Sequence, residues 1–198
     1  MSAIAIVPAA GKAERFGSPK LMARIVLDRG GASAGGGEPL LNWTLWSLLD
    51  GGIGSVIVVT APGADFYEAP LMNDPRVSVA INEDPSRGMF SSIQAGLAAG
   101  AGDPMVILPA DMPFVLSSTV TEVVLASIRR NRVAVPVYQE QRGHPVAIPS
   151  SLRKALLLAP SDTTLKQALS AAGADPIEVA VGDYGILRDV DTPADLNR

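Results

Sequence analysis

Short apolar runs, separated by polar and glycine-rich segments, dominate the hydrophobic pattern along this 198-residue chain. Several runs are almost continuous and rich in β-branched residues, which is typical of strands buried on both faces of a sheet. Such runs predict strands over residues 3–7, 55–60, 76–82, 105–108, 133–138, 146–148 and 177–181.

Segments with helical periodicity lie between these runs. After Pro39, which fits the first position of a helix, four leucines share one helical face: Leu41, Leu45, Leu48 and Leu49. Further helices are predicted over residues 89–99, 118–130, 152–158 and 165–172. The second of these further segments carries Thr119 and Glu122 in the spacing of a capping box. Strands that alternate with helices predict one α/β domain over residues 1–198, a three-layer αβα Rossmann-like fold with a mostly parallel sheet.

Composition narrows the class of protein. Sixteen basic and 20 acidic residues give a formal charge of −4, which provides no global attraction to nucleic acid or to an anionic membrane. The absence of cysteine excludes disulfides and thiol catalysis, and the single histidine, His144, excludes a multi-histidine metal site. The N-terminus lacks the pattern of a signal peptide and no apolar run has the length of a membrane span, so we expect a cytoplasmic protein.

A glycine-rich segment at about residues 29–38 interrupts the pattern, with five glycines from Gly30 to Gly37. This composition predicts a flexible loop. A surface excursion and a loop that closes over a substrate are both compatible with it.

The stretch IVPAAGKAERFGSPK follows the first predicted strand, where ligands bind in parallel α/β sheets. Ala9, Ala10 and Gly11 have little side chain, so their N–H groups can approach an anion closely. Arg15 and Lys20 add cations that suit phosphate groups. An ordinary strand-to-helix turn with surface cations fits the same residues.

Two carboxylates follow the pattern expected for a magnesium site. Asp111 stands between two prolines after a predicted strand, and Mg²⁺ takes few protein carboxylates. An aspartate that caps a helix or closes a turn fits the same position. Asp191 precedes Thr192-Pro193, as a helix N-cap does, but it could also supply a second carboxylate. Spacing alone does not bring Asp191 next to Asp111.

Three further sites carry candidate polar contacts. Asn82 follows a predicted strand, and Gly88 and Ser92 flank the start of the next helix, where a backbone and a hydroxyl can read a base edge. Serine capping of the helix is the alternative. His144, in the turn RGHP, is either a structural residue or a contact to a phosphate or a polar ring of a substrate.

These segments, in this order, resemble the MobA-like NTP transferase family, and most of all its molybdenum cofactor cytidylyltransferases. The family pattern A-A-G-x-x-x-R-x-G-x-x-K appears as Ala9-Ala10-Gly11, Arg15, Gly17 and Lys20. Its later elements appear as GMFSSIQAGL, LPADMPF, RGHPV and RDVDTPADL. Pro8 and the segment Lys12 to Glu14 depart from the pattern, which leaves the acceptor open.

The resemblance implies a fold like that of the nucleotide-diphospho-sugar transferases and a Mg²⁺-dependent transfer of a nucleoside monophosphate. It implies CTP as the favoured donor and molybdopterin as the phosphorylated acceptor, with a molybdoenzyme apoprotein as a further partner. By position, the catalytic residues would be Arg15, Lys20 and Asp111, and the metal ligands Asp111 and Asp191. The nucleotide would contact Ala9, Ala10, Gly11, Arg15, Lys20, Asn82, Gly88 and Ser92, and His144 would lie on the acceptor side.

Alternative functions remain open at this point. A sugar phosphate or a methylerythritol phosphate could be the acceptor, or GTP could be the donor, as in molybdopterin guanylyltransferases. A non-catalytic carrier that delivers the molybdenum cofactor is an alternative of another class. An NAD(P) oxidoreductase is disfavoured, because no G-x-G-x-x-G follows the first predicted strand.

Overall fold

The computed structural model describes residues 2–11, 20–27, 37–64 and 69–197. Its strands are β1 (Ile4–Pro8), β2 (Arg24–Ile25), β3 (Glu38–Pro39), β4 (Ser55–Thr60), β5 (Val77–Ile81), β6 (Met105–Ile107), β7 (Ala134–Tyr138), β8 (Gln141–Arg142), β9 (Val146–Ile148) and β10 (Ile177–Ala180). Its α-helices are α1 (Leu40–Asp50), α2 (Met89–Ala99), α3 (Ser117–Arg130), α4 (Arg153–Leu158) and α5 (Leu165–Ala171). The glycine-rich segment lies mostly outside the described residues.

The main sheet has the strand order β10-β7-β9-β6-β1-β4-β5, and β8 pairs with β7 at one end of the latter strand. Strands β6, β1, β4 and β5 are parallel neighbours, as are β10 and β7. Strand β9 runs antiparallel to both β6 and β7. The prediction of a mostly parallel sheet is therefore confirmed.

The sheet is buried on both faces, which explains the continuous apolar runs. Ala5 and Val7 of β1 pack with α1 and α3, whereas Ile4 and Ile6 pack with α2, α4 and α5 on the other face. The helices therefore form two layers around the sheet, as predicted. Among the described residues, no helix is both long and apolar enough to cross a lipid bilayer.

Two expectations about helix starts are wrong. Pro39 lies before α1 rather than in its first turn, because it pairs with Arg24 of β2 in extended backbone. The capping box of Thr119 is not formed, because its hydroxyl donates to Asp183 at 2.8 Å. The N–H of Leu116 donates to the same carboxylate, also at 2.8 Å, so a residue distant in sequence holds the start of α3.

The order of the strands positions a crevice at β1. The chain passes from β1 to β4 and β5 on one side, and β6 then lies on the other side of β1. At such a switch point the loops after adjacent strands leave in opposite directions and open a space between them. Here these loops begin at Ala9 after β1 and at Leu108 after β6.

Candidate active site

A cavity of about 350 Å³ opens at the carboxyl ends of β1 and β6. Five separate segments of the chain contribute to it, and they include most of the predicted site residues. Its walls consist of Pro8, Ala9, Ala10, Gly11, Lys20, Leu21, Pro85, Gly88, Met89, Ser92, Pro109, Ala110, Asp111 and Asp191.

Lys20 joins the two predicted carboxylates at this cavity. Its Nζ donates to Oδ2 of Asp111 at 2.9 Å and to Oδ1 of Asp191 at 3.1 Å. Burial of the ammonium would by itself lower the pKa of Lys20, but the hydrogen bonds and charges of Asp111 and Asp191 outweigh it and raise that pKa. Lys20 is therefore a cation at neutral pH, and it balances one of the two negative charges beside it.

A backbone contact explains how Asp191 reaches Asp111. The N–H of Val190, which is fully buried, donates to the carbonyl of Asp111 at 2.9 Å. The hydroxyl of Thr44, on α1, holds the neighbouring carbonyl of Ala110 at 2.9 Å. Both loops are thus fixed through their main chains, which leaves the two carboxylates to face Lys20.

Asp191 does not act as the helix N-cap that its sequence context suggested. Asp195, inside the short 3₁₀ helix Pro193–Asn197, holds this segment instead: its Oδ2 accepts from the N–H of Asp191 at 3.2 Å and from that of Thr192 at 2.8 Å. The Asp191 carboxylate is about half exposed and points to Lys20.

The loop after β1 offers fewer N–H groups than predicted. The expectation that the Ala9 N–H faces a ligand is wrong, because this group donates to the carbonyl of Val59 at 2.8 Å. Within the described part of the chain, the N–H groups of Ala10 and Gly11 have no hydrogen-bond partner. These two groups line the cavity and remain suited to an anion or a nucleotide oxygen.

The opposite wall is built at the start of α2. Asn82, which is buried, donates through Nδ2 to the hydroxyls of Ser91 and Ser92 at 2.8 and 3.0 Å. Its Oδ1 accepts from the N–H of Asp84 at 3.1 Å. Ser92 lines the cavity whereas Asn82 does not, and Gly88 precedes the helix with a φ of 95° that favours glycine. Asn82 thus orients a cavity residue rather than forming part of the wall.

A second cavity, of about 290 Å³, shares Met89, Pro109 and Asp111 with the first. His144 and Arg142 line it together with apolar side chains from the segments around Met112 and Ile186. Burial lowers the pKa of His144, although the charge of Asp111 partly opposes this. His144 is therefore neutral at pH 7 and can donate or accept a hydrogen bond.

Sequence reasoning missed two residues that hold the site together, Asp183 and Thr44. Asp183 is buried and accepts from the N–H of Gly185 at 2.8 Å as well as from the start of α3. It thereby anchors the segment that leads to Val190. In the sequence, both residues could have been noticed as polar residues among apolar neighbours.

Arg15, a predicted catalytic residue, lies outside the described residues.

The donor set suits Mg²⁺ rather than a metal that needs a full protein cage. Among the described residues, no cluster of three or more His, Asp and Glu side chains could hold a metal ion. Asp111 and Asp191 supply two carboxylates beside an open cavity, and Mg²⁺ commonly takes one or two carboxylates together with water and phosphate oxygens.

Comparison with known proteins agrees with this geometry. A model of the MobA-like NTP transferase domain matches residues 5–177. The molybdenum cofactor cytidylyltransferase of Escherichia coli (strain K12) is 24% identical over 99% of this chain and 95% of that protein.

Two solved structures share the fold. The 2-C-methyl-D-erythritol 4-phosphate cytidylyltransferase of Thermus thermophilus superimposes with a TM-score of 0.70, at 21% identity over 100% of this chain and 96% of that chain. A manganese complex of a Mycobacterium tuberculosis protein gives a TM-score of 0.66, at 18% identity over 100% of this chain and 97% of that chain. The family model spans most of the chain, and the candidate site of the chain lies at the switch point of its sheet. The chain is therefore a nucleotidyltransferase of the MobA-like NTP transferase family.

Proposed function

We propose that this nucleotidyltransferase moves CMP from CTP onto the phosphate of a molybdopterin-type acceptor, with Mg²⁺ as cofactor, and releases pyrophosphate. The observation that carries the proposal is the contact of Lys20 with both Asp111 and Asp191, at 2.9 and 3.1 Å, beside a cavity of about 350 Å³. This arrangement combines a cation for phosphate with two carboxylates for a metal. Because nucleoside triphosphates are cytoplasmic metabolites, the proposal places the protein in the cytoplasm.

In the proposed reaction, a phosphate oxygen of the acceptor attacks the α-phosphorus of CTP. The bond between that phosphorus and the oxygen leading to the β-phosphorus breaks, and pyrophosphate leaves. Lys20 and Arg15 hold the triphosphate, and the N–H groups of Ala10 and Gly11 contact the nucleotide. Mg²⁺ held by Asp111 and Asp191 would supply positive charge to the phosphate oxygens. The acceptor phosphate is already ionised, so the reaction depends on alignment and charge neutralisation rather than on a strong base.

The nucleotide base is assigned to the wall formed by α2. Ser92 lines the cavity, and Asn82 donates to its hydroxyl. Gly88, whose φ of 95° favours glycine, leaves the approach to the helix free of a side chain. The choice of CTP is supported by the Ala9-Ala10 pair and by the activity named for the Escherichia coli relative.

The second cavity supports a large, partly apolar acceptor. Its described cationic side chain is that of Arg142, whereas five apolar residues line it: Met89, Pro109, Met112, Ile186 and Leu187. Arg142 also pairs with Glu178 at 2.8 Å. A pterin with one phosphate matches this lining better than a small polyol phosphate, which would leave the apolar surfaces without a partner. His144 lies in the same cavity, on the acceptor side of Asp111.

Pyrophosphate release tests the reaction directly. Purified protein with Mg²⁺ is incubated with CTP, GTP, ATP or UTP, in each case with molybdopterin, with methylerythritol phosphate, or without an acceptor. Release with CTP and molybdopterin alone is the expected result. Turnover with methylerythritol phosphate would show that the proposed acceptor is wrong, and turnover with GTP would show that the proposed donor is wrong. Nucleotide binding without turnover would indicate a carrier.

Removal of the charge of Asp111 or of Lys20 should abolish most of the transferase activity. We expect Asp111→Ala and Lys20→Ala each to lower kcat by about 100-fold or more, as the loss of a well-placed electrostatic group does. Asp162→Ala and Lys166→Ala are matched controls, because both side chains are exposed and distant in sequence from the cavity. Near-wild-type rates in both site variants would contradict the assignment.

A further inference from the structure

The position of Lys20 has a consequence for the metal. Its ammonium lies within hydrogen-bonding distance of both Asp111 and Asp191, and no other acceptor for it is found within the described ranges. A Mg²⁺ ion shared by the two carboxylates would need oxygen ligands at about 2.1 Å. An ion that took the two oxygen atoms now bound by the ammonium, Oδ2 of Asp111 and Oδ1 of Asp191, would compete with Lys20 for both acceptors and would lie close to a like charge. The two cations therefore oppose each other at these oxygens.

A bound triphosphate offers the ammonium a different partner. The cavity extends from Lys20 along the loop of Ala10 and Gly11, whose N–H groups have no partner among the described residues. Lysine carries a compact charge on a flexible stem, so its head can turn from a carboxylate to a phosphate oxygen without movement of the backbone. Such a turn would leave both carboxylates free at the moment when the phosphate oxygens also become available to the metal.

We propose that Lys20 is an internal placeholder for the metal, which keeps Asp111 and Asp191 paired until a nucleotide draws the ammonium away. This inference rests on the proposed function, because it requires a triphosphate and a metal at this site. It predicts weak binding of divalent metal to the free protein and positive coupling between metal and nucleotide. By thermodynamic linkage, each ligand then raises the affinity of the other by the same factor.

Metal binding without nucleotide tests the proposal without any turnover. Mn²⁺ serves as the probe, and the free ion is quantified by electron paramagnetic resonance during titration of the wild type and of Lys20→Met. Methionine has a similar length and no charge, so it removes the placeholder and leaves both carboxylates. We expect Lys20→Met to bind Mn²⁺ about tenfold more tightly than the wild type, within the usual range of coupling between sites.

Two controls locate the effect. Lys166→Met, at an exposed position, should leave the Mn²⁺ affinity unchanged. Adding Asp111→Asn to Lys20→Met should remove the gain, and Lys20→Gln provides a second uncharged variant if the first is poorly folded. Equal or weaker Mn²⁺ binding in both uncharged variants, or no binding by any of the proteins, would overturn the placeholder role. Failure of the transferase proposal would instead appear as absent pyrophosphate release by a wild type that follows this binding pattern.

Discussion

At the scale of single residues, the site depends on groups that do not themselves face the ligand. Asn82 uses its amide nitrogen on Ser91 and Ser92 and its oxygen on Asp84. Of these four residues, Ser92 alone lines the cavity. Asn82 therefore stabilises the fold and orients Ser92 through the same set of contacts, and a substitution there should affect both properties.

We predict that Asn82→Ala lowers the free energy of unfolding by about 1–3 kcal/mol, because it removes the partners of buried polar groups. It should also weaken nucleotide binding by about three- to tenfold, the equivalent of one neutral hydrogen bond. Denaturant unfolding and nucleotide titration measure the two effects. Ser92→Ala is the comparison, since it should weaken binding similarly with a smaller loss of stability, and unchanged nucleotide affinity in Asn82→Ala would contradict the orienting role.

At the scale of secondary-structure elements, close packing of α2 against the sheet positions the wall of the cavity. A Cβ added at Gly96 would lie 2.4 Å from Cγ2 of Ile6 and 3.0 Å from Cγ2 of Val59. These distances are shorter than van der Waals contact, so the helix lies against β1 and β4 at a spacing that only glycine allows. The start of α2, which carries Ser92, takes its position from that contact.

We predict that Gly96→Ala destabilises the protein by about 1–3 kcal/mol, as overpacking of a buried site does. The added methyl group should push α2 away from β1 and raise the KM for nucleotide. Gly182→Ala is the matched control, because nothing lies within 4 Å of its added Cβ, and it should be neutral or slightly stabilising. Thermal unfolding of the two variants distinguishes them, and equal melting temperatures would refute the packing argument.

Many elements could be predicted from the sequence, because burial on both faces leaves continuous β-branched runs such as that of β4. The contacts at the start of α3 could not be predicted, since the carboxylate of Asp183, which accepts from Leu116 and Thr119, lies far along the chain. The antiparallel direction of β9 also leaves no local signal, because an apolar run of three residues reads the same in either direction.

At the scale of the whole molecule, the single histidine should make the free energy of unfolding depend on pH below neutrality. The pKa of His144 lies below its ordinary value of 6.5, chiefly because the imidazole is buried. Below pH 6.5 the unfolded chain therefore binds this proton more readily than the folded chain. The contribution of His144 to stability is complete above that pH and is lost as the pH falls toward the lower pKa of the folded state.

Comparison with His144→Gln isolates this contribution. We predict that the difference in the free energy of unfolding between the wild type and His144→Gln shifts against the wild type between pH 7 and pH 5. Denaturant titrations at intervals of half a pH unit measure it. A difference that stays constant over this range would show that the histidine keeps its ordinary pKa in the folded chain.

Individual residues of the candidate site could be predicted from the sequence, but not which of them lie next to one another. The loop chemistry of Lys20 and Asp111 is local and was visible in the sequence. Their meeting with Asp191 depends on the hydrogen bond from Val190 to Asp111, which joins distant parts of the chain. No local pattern specifies such a contact, because it follows from the order of strands in the sheet.

Because the site needs the contact of Val190 with Asp111, it can be completed only late in translation. A ribosome releases Lys20 and Asp111 well before Asp191, and chains begin to fold from their N-terminal side during translation. The nascent chain can thus form β1, β4 and β6 while the second carboxylate is still inside the exit tunnel. We therefore expect nascent chains to lack the second carboxylate of the site until residue 191 has left the exit tunnel.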